Sequence, residues 1–217
     1  MRTKFWNAAV LVLILNSGIW NTSHAEQPLD VLQGHIDTAF SILNDPQLAE
    51  HGKKAIQLNK LRDLLDQAFD FEEFSRRVLA DHWHKFKPLQ QRQFVDIFSE
   101  FLSKFYMREL QERYTNETVV LIGQRLSQES RAIVLAEVFW NNIGIPVEVR
   151  MSKRSGTWKI YDLSALGISA VLNYRAQLNE ILQQESPSQV IARLKEKVRH
   201  IDQQASAYGY HRFDRPA

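Results

Sequence analysis

The sequence predicts an α+β fold, in which helices pack on a small antiparallel sheet of about four strands. Three observations carry this. Apolar residues recur at spacings of three and four from Pro28 to about Tyr114, they alternate or run β-branched from Thr118 to Leu163, and helical spacing returns from about Ser169. Helices, then strands, then helices is the order of an α+β chain rather than an alternating α/β one.

The first 25 of the 217 residues stand apart from this pattern. Arg2 and Lys4 precede the apolar run Ala8–Leu15, and Ser23-His24-Ala25 is a small-x-small exit before Glu26. That is the layout of a secretory signal peptide, and the run is far shorter than the roughly 20 residues of a spanning helix. Residues 1–25 are therefore expected to be a signal peptide, 26–204 one domain and 205–217 a flexible tail, since Gly209 and Pro216 there belong to no periodicity.

In the mature region Pro28–Asn44 reads as an amphipathic helix carrying Leu29, Leu32, Ile36, Ala39, Phe40 and Leu43, with proline in its first turn. Pro46 opens a second helix running to Phe69, with Gly52 a soft spot. Asp70 with Glu73 resembles a capping box, starting a short helix with Phe71, Phe74 and Val78 on one face and ending near His82-Trp83-His84-Lys85-Phe86. Pro88 starts the longest helix, whose stripe of Phe94, Phe98, Phe101, Leu102, Phe105 and Tyr106 is unusually bulky.

Strands are expected at Thr118–Ile122 and Arg131–Trp140. Ile145, Val147, Val149 and Met151 then alternate with Pro146, Glu148 and Arg150, giving one buried and one wet face. Lys153-Arg154-Ser155-Gly156 is a hairpin turn into Thr157–Leu163, where strict alternation puts Trp158 and Ile160 on one face and Tyr161 and Leu163 on the other. Helices follow at about Ser169–Gln184 and from Ser186-Pro187 to about Asp202.

Composition narrows the chemistry. With no cysteine, the chain has no disulfide, thiol nucleophile or Cys-based metal or cluster site. Its formal charge of +2 lies in the leader, because residues 26–217 carry 25 basic and 25 acidic side chains. A neutral mature chain lacks the basic footprint of a nucleic-acid binder. No phosphate-binding glycine loop, nucleophile elbow or zinc-protease motif is present, so no cofactor or catalytic residue is assigned. His82 and His84 lie two apart, on different sides of a helix, and read as solvated rather than metal-binding.

Abundant bulky apolar surface remains. Phe74, Val78, Phe98, Leu102, Phe105, Tyr106, Val147, Val149, Tyr161 and Tyr174 supply it to helices and sheet alike. Each alone reads as core; together they permit an apolar cavity between the layers. Arg150 and Arg175 read as surface or ion-pair residues, with a phosphate as the alternative partner, and Asp162 sits among apolar neighbours. Three functions stay open on this reading: a carrier of apolar ligand, an enzyme using Asp162 and a histidine, or a protein-only adaptor.

Gly156-Thr157-Trp158-Lys159-Ile160-Tyr161-Asp162-Leu163, then Gly167-Ile168-Ser169, then Asn173-Tyr174-Arg175-Ala176-Gln177-Leu178 resembles the MlaC, or toluene-tolerance, family of periplasmic phospholipid-binding proteins. Phe69-Asp70-Phe71, Leu79-Ala80 with Trp83, Pro88 with Gln90 and Phe94, and Pro146-Val147-Glu148-Val149 resemble it too, in order along most of residues 30–200. Departures are Leu166 where an acid is usual, Ala176 and Leu178 within the Asn-Tyr-Arg block, and Ser186-Pro187-Ser188 in place of a glycine pair. The resemblance implies a strongly twisted sheet and helices that enclose acyl chains, with the head group at the mouth and Arg150 and Arg175 as its candidate contacts. It also implies a non-enzymatic role in outer-membrane lipid asymmetry. The implied partners are a phospholipid ligand, an inner-membrane ABC transporter with its MCE-domain protein, and an outer-membrane lipoprotein–porin complex.

Overall fold

The computed structural model describes residues 26–115 and 117–207. The leader expected at 1–25 and residues 208–217 of the expected tail lie outside them. The chain runs through α1 (Pro28–Leu43), α2 (Pro46–Ala49), a 3-10 turn (His51–Lys53), α3 (Lys54–Ala68), α4 (Phe71–Leu79), a 3-10 segment (Ala80–Lys85) and α5 (Pro88–Arg113). Strands β1 (Thr118–Gln128), β2 (Arg131–Trp140), β3 (Ile143–Arg154), β4 (Thr157–Ala165) and β5 (Ile168–Ser169) follow, then α6 (Ala170–Leu182) and α7 (Pro187–Ala207). The fold is α+β, and its sheet has five strands in chain order, all neighbours antiparallel. The strand beyond the expected four is the two-residue β5.

Proline stands in the first turn of α1, α2 and α5, where its missing N–H has no helical partner to lose. The expected helix from Pro46 to Phe69 is broken. Glu50 turns to ψ 140° and the 3-10 turn carries Gly52, whose backbone freedom disfavours a continuous helix. The last helix continues to Ala207, past the expected end near Asp202 and into the segment expected to be tail.

Three hairpin loops have two residues, both at positive φ: Asn141-Asn142, Ser155-Gly156 and Leu166-Gly167. This is the twist-matched geometry of type I′ turns. Leu166, at φ 51° and 68% exposed, is the one branched apolar side chain among the six.

Two apolar clusters organise the molecule. One face of the sheet, with Ala132, Val134, Val149, Met151, Trp158 and Ile160, packs under Val31 and Leu32 of α1 and Ala68 of α3. The other cluster is helical: Phe74, Val78, Phe94, Phe98 and Leu102 of α4 and α5 meet Val171, Leu178, Val190 and Leu194 of α6 and α7. Lys104 on α5 is buried and forms a salt bridge to Asp202 of α7 at 2.6 Å, tying those two helices together.

Strand register corrects one expectation. Arg150 pairs with Asp162 and Met151 with Ile160, so Tyr161 is an extra, bulged residue. Past the bulge the parity of β4 reverses. Leu163, opposite Val149, joins the face of Trp158 and Ile160 rather than opposing it.

Candidate functional site

The site is built around the corner from α3 to α4. Phe69 leaves the helix in extended backbone, and Asp70 caps α4 by accepting from the Glu73 amide at 2.9 Å. The Asp70 amide donates to the Ile160 carbonyl at 2.8 Å, and Arg154 pairs with the Asp70 carboxylate at 2.9 Å. With both its ends engaged, Asp70 fixes the corner, and the flanking rings of Phe69 and Phe71 stack 5.5 Å apart. Half of the expected capping box forms. Glu73 turns forward to bind Arg76 and Arg77 instead of the Asp70 amide. Burial by itself would raise the Glu73 carboxyl, but the hydrogen bonds and charges of these arginines outweigh it and hold the group below the ordinary carboxylate range.

A second anchor lies at the start of α6. Ser169 caps the helix by accepting from the Leu172 amide at 3.1 Å, and its hydroxyl donates to Asp162 at 2.7 Å. Asp162 also accepts from the Val171 amide at 3.0 Å and from Arg150 at 3.1 Å. Fastened in this way, α6 presents Ala170 and Tyr174 inward. The long α5 adds Leu102, Tyr106 and Met107, and the bulge of β4 adds Leu163.

These elements enclose a cavity of about 290 Å³, lined by Phe69, Phe71, Phe74, Leu102, Tyr106, Met107, Leu163, Ala170 and Tyr174 together with Leu65. It lies at the seam between the two clusters. No lining side chain carries a formal charge, and the side-chain oxygens are the hydroxyls of Tyr106 and Tyr174, hydrogen-bonded at 2.9 Å. Tyr106 is 46% exposed and marks the mouth. Burial, then the bond to Tyr106, pushes the Tyr174 hydroxyl well above the tyrosine range, so it stays protonated.

Of the ten apolar residues singled out from sequence, Phe74, Leu102, Tyr106 and Tyr174 line this cavity. Phe98 backs it, with ring centroids 5.9 Å from Phe74 and 5.3 Å from Tyr174. Phe105 packs edge-on against Tyr106 outside the lining. Val78 is buried between α4 and α6, Val149 lies in the sheet cluster with Val147 packed against it, and Tyr161 sits at the bulge under the Arg77 guanidinium, 4.2 Å away. Val147 and Val149 share the sheet face packed by α1 and α3, of which Leu163 reaches the seam, and Tyr161 is the bulged residue itself and lies outside the lining.

Both candidate arginines are engaged elsewhere. Arg150 is held by Asp162, Ser164 and Glu148, and Arg175 donates twice to the Arg77 carbonyl, at 3.0 and 2.7 Å, near the end of α4. There it satisfies a carbonyl of the last turn and complements the negative end of the helix. Arg175 faces a second hollow between α4 and α6, of about 360 Å³, which His82 and Asn179 also line. His82 Nε2 meets Asn179 at 2.8 Å, and His84 is exposed. Six lining residues, Leu65, Phe69, Phe71, Met107, Leu163 and Ala170, were not singled out as site residues. Their only sequence signal is apolar character, which core residues share.

A family model described as MlaC protein matches residues 33–196. Among solved structures, a phospholipid-binding protein from Ralstonia solanacearum, in complex with a phospholipid, superposes with a TM-score of 0.70 at 22% identity, covering 81% of this chain and 99% of that one. No curated protein matches the sequence.

Proposed function

The chain belongs to the MlaC family, and from that premise we propose that it is a phospholipid carrier whose acyl chains occupy the cavity at the seam. The observation that carries this reading is an apolar cavity whose lining bears no charged side chain, in a member of the MlaC family. The Ralstonia protein, bound to a phospholipid on the same fold, supports it.

Magnitudes set what such a carrier must do. Burying a methylene is worth about 0.8 kcal/mol, so two chains of about 15 methylenes represent on the order of 24 kcal/mol against water. Against a bilayer, where the chains are already buried, exchange is near neutral. A wide apolar pocket suits that task better than a tight, selective one.

The proposed setting is the periplasm, reached through cleavage of the leader at 1–25. Among the described residues no helix is long and apolar enough to cross a membrane. The proposed partners are an inner-membrane ABC transporter with its MCE-domain protein and an outer-membrane lipoprotein–porin complex. A binding role is favoured over catalysis because Asp162, the acid the enzyme reading needs, is taken up in the cap of α6 and its bond to Arg150.

The test is the lipid content of the full-length chain purified from its membrane-bearing host. Native mass spectrometry is expected to show phospholipid bound at about one per chain. Repeated lipid-free preparations, together with failure to take up phospholipid from vesicles, would overturn the reading.

A further inference from the structure

A carrier that holds a head group at its mouth needs a polar contact there, and neither candidate arginine lines the cavity. Arg150 is committed to Asp162, Ser164 and Glu148, and Arg175 to the Arg77 carbonyl. The side-chain oxygens that do line it belong to Tyr106 on α5 and Tyr174 on α6. The Tyr174 ring stands edge-on to Phe74 and Phe98, whereas Tyr106 is half exposed, so the pair spans the boundary between apolar interior and water. Tyrosine suits such a boundary, with an apolar ring and a polar tip.

Resting on the carrier reading, we propose that Tyr106 and Tyr174 are the polar anchor of the bound lipid, exchanging their bond to one another for bonds to its oxygen acceptors. An acyl chain entering past this pair separates the two hydroxyls. Each becomes a neutral donor at the depth where a diacyl glycerophospholipid carries acceptors only: ester carbonyls and, further out, phosphate oxygens. A protonated phenol fits that zone without the desolvation cost a guanidinium would bear. Recognition then reads the glycerol-ester region and leaves head-group identity to solvent.

The sign of a double substitution separates this role from a simple latch. In the empty chain Tyr106→Phe with Tyr174→Phe removes one hydrogen bond; in the loaded chain it removes two. An anchor therefore loses affinity on substitution. A latch, which only holds the cavity shut, gains affinity or leaves it unchanged.

The experiment loads the full-length chain with a diacyl phosphatidylethanolamine and, separately, with its dialkyl-ether analogue, and measures lipid loss to acceptor vesicles. The double variant is expected to release the diacyl lipid about two- to tenfold faster than wild type, the equivalent of one net hydrogen bond. If the difference vanishes with the ether lipid, the acceptor is the ester carbonyl; if it persists, the acceptor is phosphate. Unchanged or slower release of both lipids would overturn the proposal. Should the double variant fail to fold, wild-type protein labelled at tyrosine Cζ replaces it: loading is expected to move the resonances of Tyr106 and Tyr174, and unmoved resonances overturn the proposal. Wild-type protein that takes up neither lipid overturns the carrier reading itself, an outcome distinct from uptake that is indifferent to the tyrosines.

Discussion

Replacing Asp162 with asparagine tests whether this carboxylate is a structural fastener. One of its oxygens accepts from the Val171 amide at 3.0 Å, and the other from Ser169 at 2.7 Å and Arg150 at 3.1 Å. Asparagine keeps the first of these. At the second position an NH₂ group faces the Arg150 guanidinium, donor against donor. The charge-assisted bond to Arg150, about 1.5–3 kcal/mol, is lost, and the serine bond falls to a neutral one. Arg150 keeps Ser164 and Glu148 and is partly exposed, so it is not stranded, and the full penalty of a broken buried pair does not apply. The sum is about 3 kcal/mol, a fall in melting temperature on the order of 10 °C for a chain of this size. The assay is thermal and urea unfolding of delipidated protein, because bound lipid would add its own stabilisation. A shift below about 2 °C would refute the assignment of Asp162 as the fastener of α6. Lipid content of the folded variant should match wild type, since Asp162 does not line the cavity.

Ala170→Trp, at the first residue of α6 and in the cavity lining, is expected to keep the fold and lose most co-purifying phospholipid; circular dichroism and lipid extraction read the two together. Val149→Arg, by contrast, should fail to accumulate as folded protein, because Val149 is 5% exposed under α1 and α3 and an unpaired charge there is not tolerated. The lowered Glu73 carboxyl implies a stabilisation fully present above its unfolded pKa of about 4.3 and lost as pH falls through the folded value. Glu73→Gln should therefore lower the urea midpoint at pH 7, with the gap to wild type closing as pH falls through the folded value; a constant gap would contradict the assignment. Leu166→Asn, placing a residue tolerant of positive φ in the exposed β4–β5 turn, should raise stability by about 0.5–1 kcal/mol, read as an increased urea midpoint.

Much of the scaffold was legible because local rules acted alone. Pro28, Pro46, Pro88 and Pro187 each mark a helix start, and the alternation from Ile145 to Met151 lies within β3 as expected. The break near Gly52 was visible only as a weakness, since whether a glycine interrupts a helix depends on what the flanking turns pack against. The bulge at Tyr161 was not legible: an inserted residue leaves each side of it alternating normally, and only the partner strand reveals the change of parity. The bulge misdirected the reading of Leu163. It also explains part of the difference between the ten residues expected from sequence and the ten that line the cavity. Two polar motif residues were visible as types but not as roles. Asp162 and Arg175 look like chemistry in a sequence, yet both fasten helix ends, whereas the capping role of Asp70 was legible from its spacing to Glu73.

The division into two apolar clusters bears on how the molecule unfolds. A void at the seam between the two clusters makes a weak plane, along which partial opening costs less than global unfolding. Amide hydrogen exchange should therefore separate two cooperative units, one containing α1, α3 and the sheet and the other α4 to α7, with the most frequent openings at their boundary. Substitutions that glue this plane, by filling it with well-packed apolar atoms, would raise the melting temperature and slow exchange while leaving less room for cargo. Selection on such a chain acts on a ceiling of stability as well as a floor.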